Sequence, residues 1–162
     1  MNFSRLFLVP LLFIAQSVLA ERTVLTWDTG KDLETSYDIV YKSLEDNLFF
    51  VVFEPDIQKN LSHFAERWGE DYNRSGLEAI RSMIFCNGWY ANAVSNADPD
   101  MLALCPLHIT LVQKNGLTRI LFTRPTVIAA DSKALEVARE IERGVSKALD
   151  EAVAALKAGQ QK

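Results

Sequence analysis

Residues 76–125 read GLEAIRSMIFCNGWYANAVSNADPDMLALCPLHITLVQKNGLTRILFTRP, and the fold is decided in this stretch. Near its end, Leu107–Gln113 and Leu117–Thr123 are two apolar-rich runs joined through Lys114-Asn115-Gly116. Asn-Gly between two such runs marks a hairpin, because both residues tolerate the positive φ of a tight turn. At its start, Glu78–Cys86 has the β-branched and aromatic content of a third strand. A short helix over Trp89–Asn96 and a turn at Asp98-Pro99 carry the chain from one to the other.

Upstream, Arg22–Trp27 has strand character. The Thr-x-x-Asp spacing of Thr29 and Asp32 suits a helix N-terminus, where a side-chain oxygen meets free backbone N–H groups. Leu33, Tyr37, Val40, Tyr41, Leu44 and Leu48 recur every three or four residues and give that helix one apolar stripe. Phe49–Phe53 (FFVVF) is apolar throughout, which predicts a central strand covered on both faces. Asp56 is placed to cap a second helix with a stripe of Ile57, Leu61, Phe64 and Trp68, and Gly69–Gly76 is a polar loop. After the hairpin, Asp131 or Ser132 begins a long helix striped by Leu135, Ala138, Ile141, Val145, Leu149, Val153 and Leu156. Gly144 is its one weak position, at a cost of about 1 kcal/mol relative to alanine. Strands and helices in this order predict a two-layer α+β domain over residues 21–157, with helices on one face of a mostly antiparallel sheet. Residues 158–162 read as a frayed tail.

The first twenty residues have the composition of an export signal: Arg5, an apolar run from Leu6 to Ala15, and Val18-Leu19-Ala20 before a cleavage point at Glu21. The run is short of the roughly 20 residues of a spanning helix. The expectation is an extracytoplasmic protein, periplasmic in a Gram-negative cell, with no membrane span after processing. The chain holds 17 Lys and Arg against 21 Asp and Glu, a net of −4, and loss of Arg5 makes the mature part more acidic still. Nucleic acid is thereby disfavoured as a partner, since its binding needs clustered cations to displace counterions from phosphate.

Three sets of motifs, Ile84-Phe85-Cys86-Asn87, Leu104-Cys105-Pro106-Leu107 and Phe122-Thr123-Arg124-Pro125, resemble those of the domain-of-unknown-function 302 family, over roughly residues 30–155. Gly88 departs from the family pattern, which has proline there, and the aromatic-rich region Phe64–Tyr72 resembles an insertion. The resemblance implies a β-α-β-β-β-β-α fold similar to the TATA-binding-protein superfold, without its DNA binding. It implies no activity, cofactor or substrate.

Cys86 ends one strand and Cys105 begins the next. In an oxidising compartment an even pair points to a disulfide; two separate buried thiols and a redox or sulfur-handling pair are the alternatives. His108 follows Cys105 by three residues, with Met83 and Met101 near in sequence, a set of soft ligands suited to Cu(I) or haem iron. Strand alternation nevertheless sends residues 105 and 108 to opposite faces. Arg81, Arg119 and Arg124 would bind a carboxylate or oxyanion if they gathered on one sheet face. Trp89 is either core or ligand platform. No serine elbow and no glycine-rich phosphate loop is present. The reading is an exported, non-enzymatic protein that binds a small molecule or a protein partner, with a homodimer compatible. A thiol protein using Cys86 and Cys105 is the first alternative, and a metal or haem module the second; no cofactor is assigned.

Overall fold

The computed structural model describes residues 22–159. The predicted signal and most of the predicted tail therefore lie outside the described residues; Ala158 still belongs to the last helix and Gly159 caps it.

Strand β1 (Val24–Asp28) leads into helix α1 (Leu33–Asp46). Asp32 is the cap, its carboxylate accepting from Thr35 N. Thr29 has a different task. It is fully buried, and its hydroxyl bonds Ser36 Oγ and the Thr118 carbonyl, which ties the β1–α1 turn to the hairpin. The turn after α1 places Leu48 at φ 65° and drops Phe49 into the core. Strand β2 (Phe50–Phe53) follows, then two short helices, α2 (Ile57–Ser62) and α3 (Ala65–Trp68). Strand β3 (Ala79–Cys86), helix α4 (Gly88–Ala97), a 3₁₀ turn (Pro99–Leu104), β4 (Leu107–Lys114), β5 (Leu117–Thr123), a single helical turn α5 (Pro125–Ile128) and the long α6 (Leu135–Ala158) complete the chain.

The five strands form one antiparallel sheet in the order β1-β5-β4-β3-β2. At the hairpin, Asn115 and Gly116 take φ values of 52° and 71°, as the Asn-Gly signal requires. Period-two alternation sends Leu107, Ile109 and Leu111 of β4, and Ile120 and Phe122 of β5, toward α1 and α6. These residues meet Val40 and Leu44 of α1 and Ile141, Val145 and Leu149 of α6 in one core. The β-α-β-β-β-β-α frame with helices on one face is thus as expected, with the small helices as additions.

Three expectations are corrected. Phe49–Phe53 is not a central strand: β2 is one of the sheet's two edges, and Phe50, Val52 and Phe53 are 51%, 62% and 60% exposed. An uncharged apolar run carries no signal that separates an edge from a centre, because nothing in it marks which neighbour is missing. A bulge between Val51 and Phe53 bends the strand, and the Val51 N–H donates to Glu45 Oε1 at 2.8 Å. The second helix is also not continuous. It breaks at His63 and Phe64, and neither piece buries a residue; Phe64 and Trp68 instead stack on each other at 5.0 Å. Its local pattern had helical period, but the stripe is not buried, so packing does not hold one long helix together. The long helix starts later than expected, after Ala134, with no side-chain cap. Ser132 Oγ accepts from Ala134 N and donates to Asp98, joining the helix start to the turn after α4.

Gly144 has a packing reason. A Cβ added there would stand 3.1 Å from Cζ of Phe49, whose ring meets Phe85 edge-on and stacks parallel on Tyr90. Gly144→Ala gains roughly 1 kcal/mol of helix propensity, but overpacking a close-packed core costs about 1–3 kcal/mol. The expected result is a melting temperature unchanged or lowered; a clear rise would show that Phe49 yields without cost.

Candidate binding surface

The helices cover one face of the sheet and leave the other open. Pairing places Cys86 opposite Phe50 and Ile84 opposite both Phe53 and His108, so these side chains share the open side. His108 is exposed there, lining a small pocket of about 110 Å³ with Pro106, Phe122 and Ile128. At the β3 end of this side, Asn87 caps α4 by accepting from Tyr90 N, and its amide donates to the Leu48 carbonyl at 3.0 Å. That bond fixes the β3–α4 junction to the turn before β2. Three large apolar side chains project around the junction: Leu48 (60% exposed), Phe50 and Trp89 (72% exposed). Trp89 is therefore surface, while the neighbouring Tyr90 is the aromatic that reaches the core by stacking on Phe49.

Phe85 pairs with Leu107, so the next position on β3 is Cys86 and the chain entering β4 is Cys105-Pro106. This register sets the cysteines at neighbouring strand ends. Both are half-buried free thiols, so the expected disulfide is not formed in the structure. Burial pushes the Cys105 thiol up from its ordinary value, and the proximity of Cys86 pushes it further.

The arginines do not gather on one face. Arg81 lies on the helix side, its guanidinium 3.7 Å above the Tyr37 ring and its Nη1 3.3 Å from Glu34. Beneath it the Tyr37 hydroxyl donates to Glu54 at 2.8 Å; burial, then that bond, hold the phenol protonated well above its usual range. Arg119 is on the open face, paired with Asp28 at 3.1 Å. Arg124 lies past the end of β5 and turns toward α6, where it meets Glu142. Strand alternation separates Arg81 from Arg119, and the strand's end frees Arg124 from either face. Among the described residues no group of three His, Cys, Asp or Glu side chains is placed to hold a metal ion, and no helix is long and apolar enough to cross a membrane.

The profile of the domain of unknown function DUF302 matches residues 25–152, which span β1 through most of α6. The chain belongs to the DUF302 family. Among solved structures it is similar to that of the uncharacterized conserved protein DUF302 from Bacillus stearothermophilus, with a TM-score of 0.69 at 22% identity. The match covers 80% of this chain and 98% of that one, and at this identity it speaks for the fold. No curated protein matches the chain. The DUF302 fold accounts for the sheet and its helices. Of the exposed side chains Leu48, Phe50, Val52, Phe53 and Trp89, only Trp89 was legible in the sequence as a binding candidate.

Proposed function

We propose that this DUF302 protein is an exported, non-enzymatic binding protein that takes an apolar ligand or an apolar segment of a partner chain at the corner formed by Leu48, Phe50 and Trp89. One observation carries the reading: the core is complete beneath Phe49 and Tyr90, yet large apolar side chains remain in water directly beside it. Single exposed apolar residues are ordinary, whereas a group of them at one junction marks an interaction site. The open sheet face next to it, with Ile84, Phe53 and His108, extends the surface available. The export part of the reading rests on the sequence of residues 1–20.

Nile red, a neutral apolar dye, tests the surface without responding to charge. The Phe50→Ser/Trp89→Ser variant should bind it about tenfold more weakly than wild type, roughly 1.4 kcal/mol, with little change in melting because both side chains are exposed. Equal dye binding by the two proteins would remove the corner from consideration.

A second reading follows from the neighbouring thiols. Cys86 and Cys105 can form a disulfide by exchange: each thiol gives up a proton, an S–S bond forms, and two electrons pass to an external disulfide that is reduced to two thiols. The mass of the exported protein, with and without reduction and alkylation, checks this and the processing site together. A mature chain starting at Glu21, with thiols that label only after reduction, is the expected result. If the bond is structural, the double serine variant loses about 3 kcal/mol for a loop of about 20 residues. Two thiols that label without reduction, together with unchanged melting, would instead leave a reduced, exposed pair.

A further inference from the structure

At the opposite end of α6 from the last turn, α5 and the start of the long helix enclose an open cleft of about 380 Å³. Its charged lining is three arginines and one glutamate: Arg124, Arg139, Arg143 and Glu142. On a chain with net charge −4, this is a local excess of positive charge.

The arrangement of bonds decides which of those charges are available. Glu142 Oε1 accepts from both Nε and Nη2 of Arg124, at 2.9 and 2.8 Å. Its Oε2 accepts from the Thr126 hydroxyl at 2.5 Å and from the Thr126 N–H. The carboxylate is thereby engaged at both oxygens and is turned toward the cleft floor. It neutralises Arg124 and is not placed to neutralise the other two.

Arg139 and Arg143 stand one turn apart on the same side of α6, both exposed and both lining the cleft. Like charges at this spacing destabilise a helix slightly, and an anion held between them reverses that sign. Arg139 pairs with Glu136, an exposed contact one turn earlier that water screens. Ala130 and Leu135 add an apolar wall. The cleft's volume falls at the low end of the range for sites that hold small metabolites, so it is larger than a bare ion needs.

We propose that this cleft binds a small organic oxyanion, a phosphate- or carboxylate-bearing molecule, gripped by the guanidinium forks of Arg139 and Arg143 over the neutral Arg124–Glu142 floor. Guanidinium offers paired N–H groups that match two oxygens of either anion. The site is separate from the apolar corner at Trp89 and stands or falls independently of it.

The test is calorimetric titration of the full-length mature protein at low salt with inorganic phosphate, sulfate and succinate, each against chloride at equal ionic strength. Arg139→Gln/Arg143→Gln is the diagnostic variant. Arg67→Gln, on the exposed α3, makes a control for overall charge. At least one of the three anions should bind in preference to chloride, tenfold or more weakly to the diagnostic variant and unchanged to the control. Phosphate and sulfate binding without succinate assigns a phosphate-type ligand, and the reverse assigns a carboxylate. No preference over chloride overturns the proposal. So does binding that survives in the diagnostic variant, provided its melting shows that it is folded.

Discussion

Alanine at Ile141 or at Leu149 is expected to destabilise the protein by about 2–5 kcal/mol, the range for truncating a fully buried aliphatic side chain. Both residues are wholly inaccessible and belong to the cluster that joins α1, α6 and the sheet. The sheet has one covered face, so these side chains fill space that no third layer can supply. Denaturant midpoints with unchanged slopes would give the loss directly. Losses below about half a kcal/mol at both sites would mean that α6 is not seated on the core.

Arg124→Ala is the second large effect. The side chains of Arg124 and Glu142 are only 15% and 13% exposed, and removing the guanidinium leaves a nearly buried carboxylate with Thr126 as its remaining partner. Breaking a buried pair costs roughly 3–5 kcal/mol, and partial solvent access places this one at the lower end. Protonation gives an independent check. Burial alone would raise the Glu142 carboxyl, but the bonds from Arg124 and Thr126 outweigh it and hold the group below its ordinary 4.5. A carboxylate whose value is lowered by folding adds stability that is complete at neutral pH and is lost as pH falls through the folded value. The stability difference between wild type and Glu142→Gln should therefore be largest near pH 7 and shrink in acid. Urea melts at neutral and acid pH compare the two, and a difference independent of pH would show that the ion pair contributes nothing.

The parts of the fold that were legible in the sequence are those set by local chemistry. Asn115-Gly116 dictated a turn by its φ preferences, and the stripes of α1 and α6 dictated which helix faces are buried, except that Leu48 falls beyond the end of α1 and is exposed. The element order followed from such local signals, and the family resemblance, carried by residues around Cys86, Cys105 and Phe122, implied the same frame. Legibility failed where the answer depends on a missing neighbour. FFVVF has the same letters whether a strand lies beside it or water does. The break at His63 depends on whether the stripe is buried, and the separation of Arg81, Arg119 and Arg124 on pairing register. In the candidate sites, Trp89 and Arg124 were visible as residue types worth testing. Arg139 and Arg143 were not, because two arginines on the polar face of a long helix look like ordinary solvated charge until α5 folds back beside them.

The contact between Glu45 and the Val51 N–H bears on how this sheet edge is kept from pairing with another chain. Phe49–Phe53 is five consecutive apolar residues with high β propensity and no charge, which is the composition of segments that stack into cross-β fibrils. It lies on an open edge, the position from which such stacking begins. A single carboxylate from α1 occupies an outward-facing backbone donor there, and the bulge turns the strand away from a flat approach. One of these two guards is a side chain of a different element, so it acts only once α1 has folded against the strand. Until then, the segment is open to any chain that reaches it first.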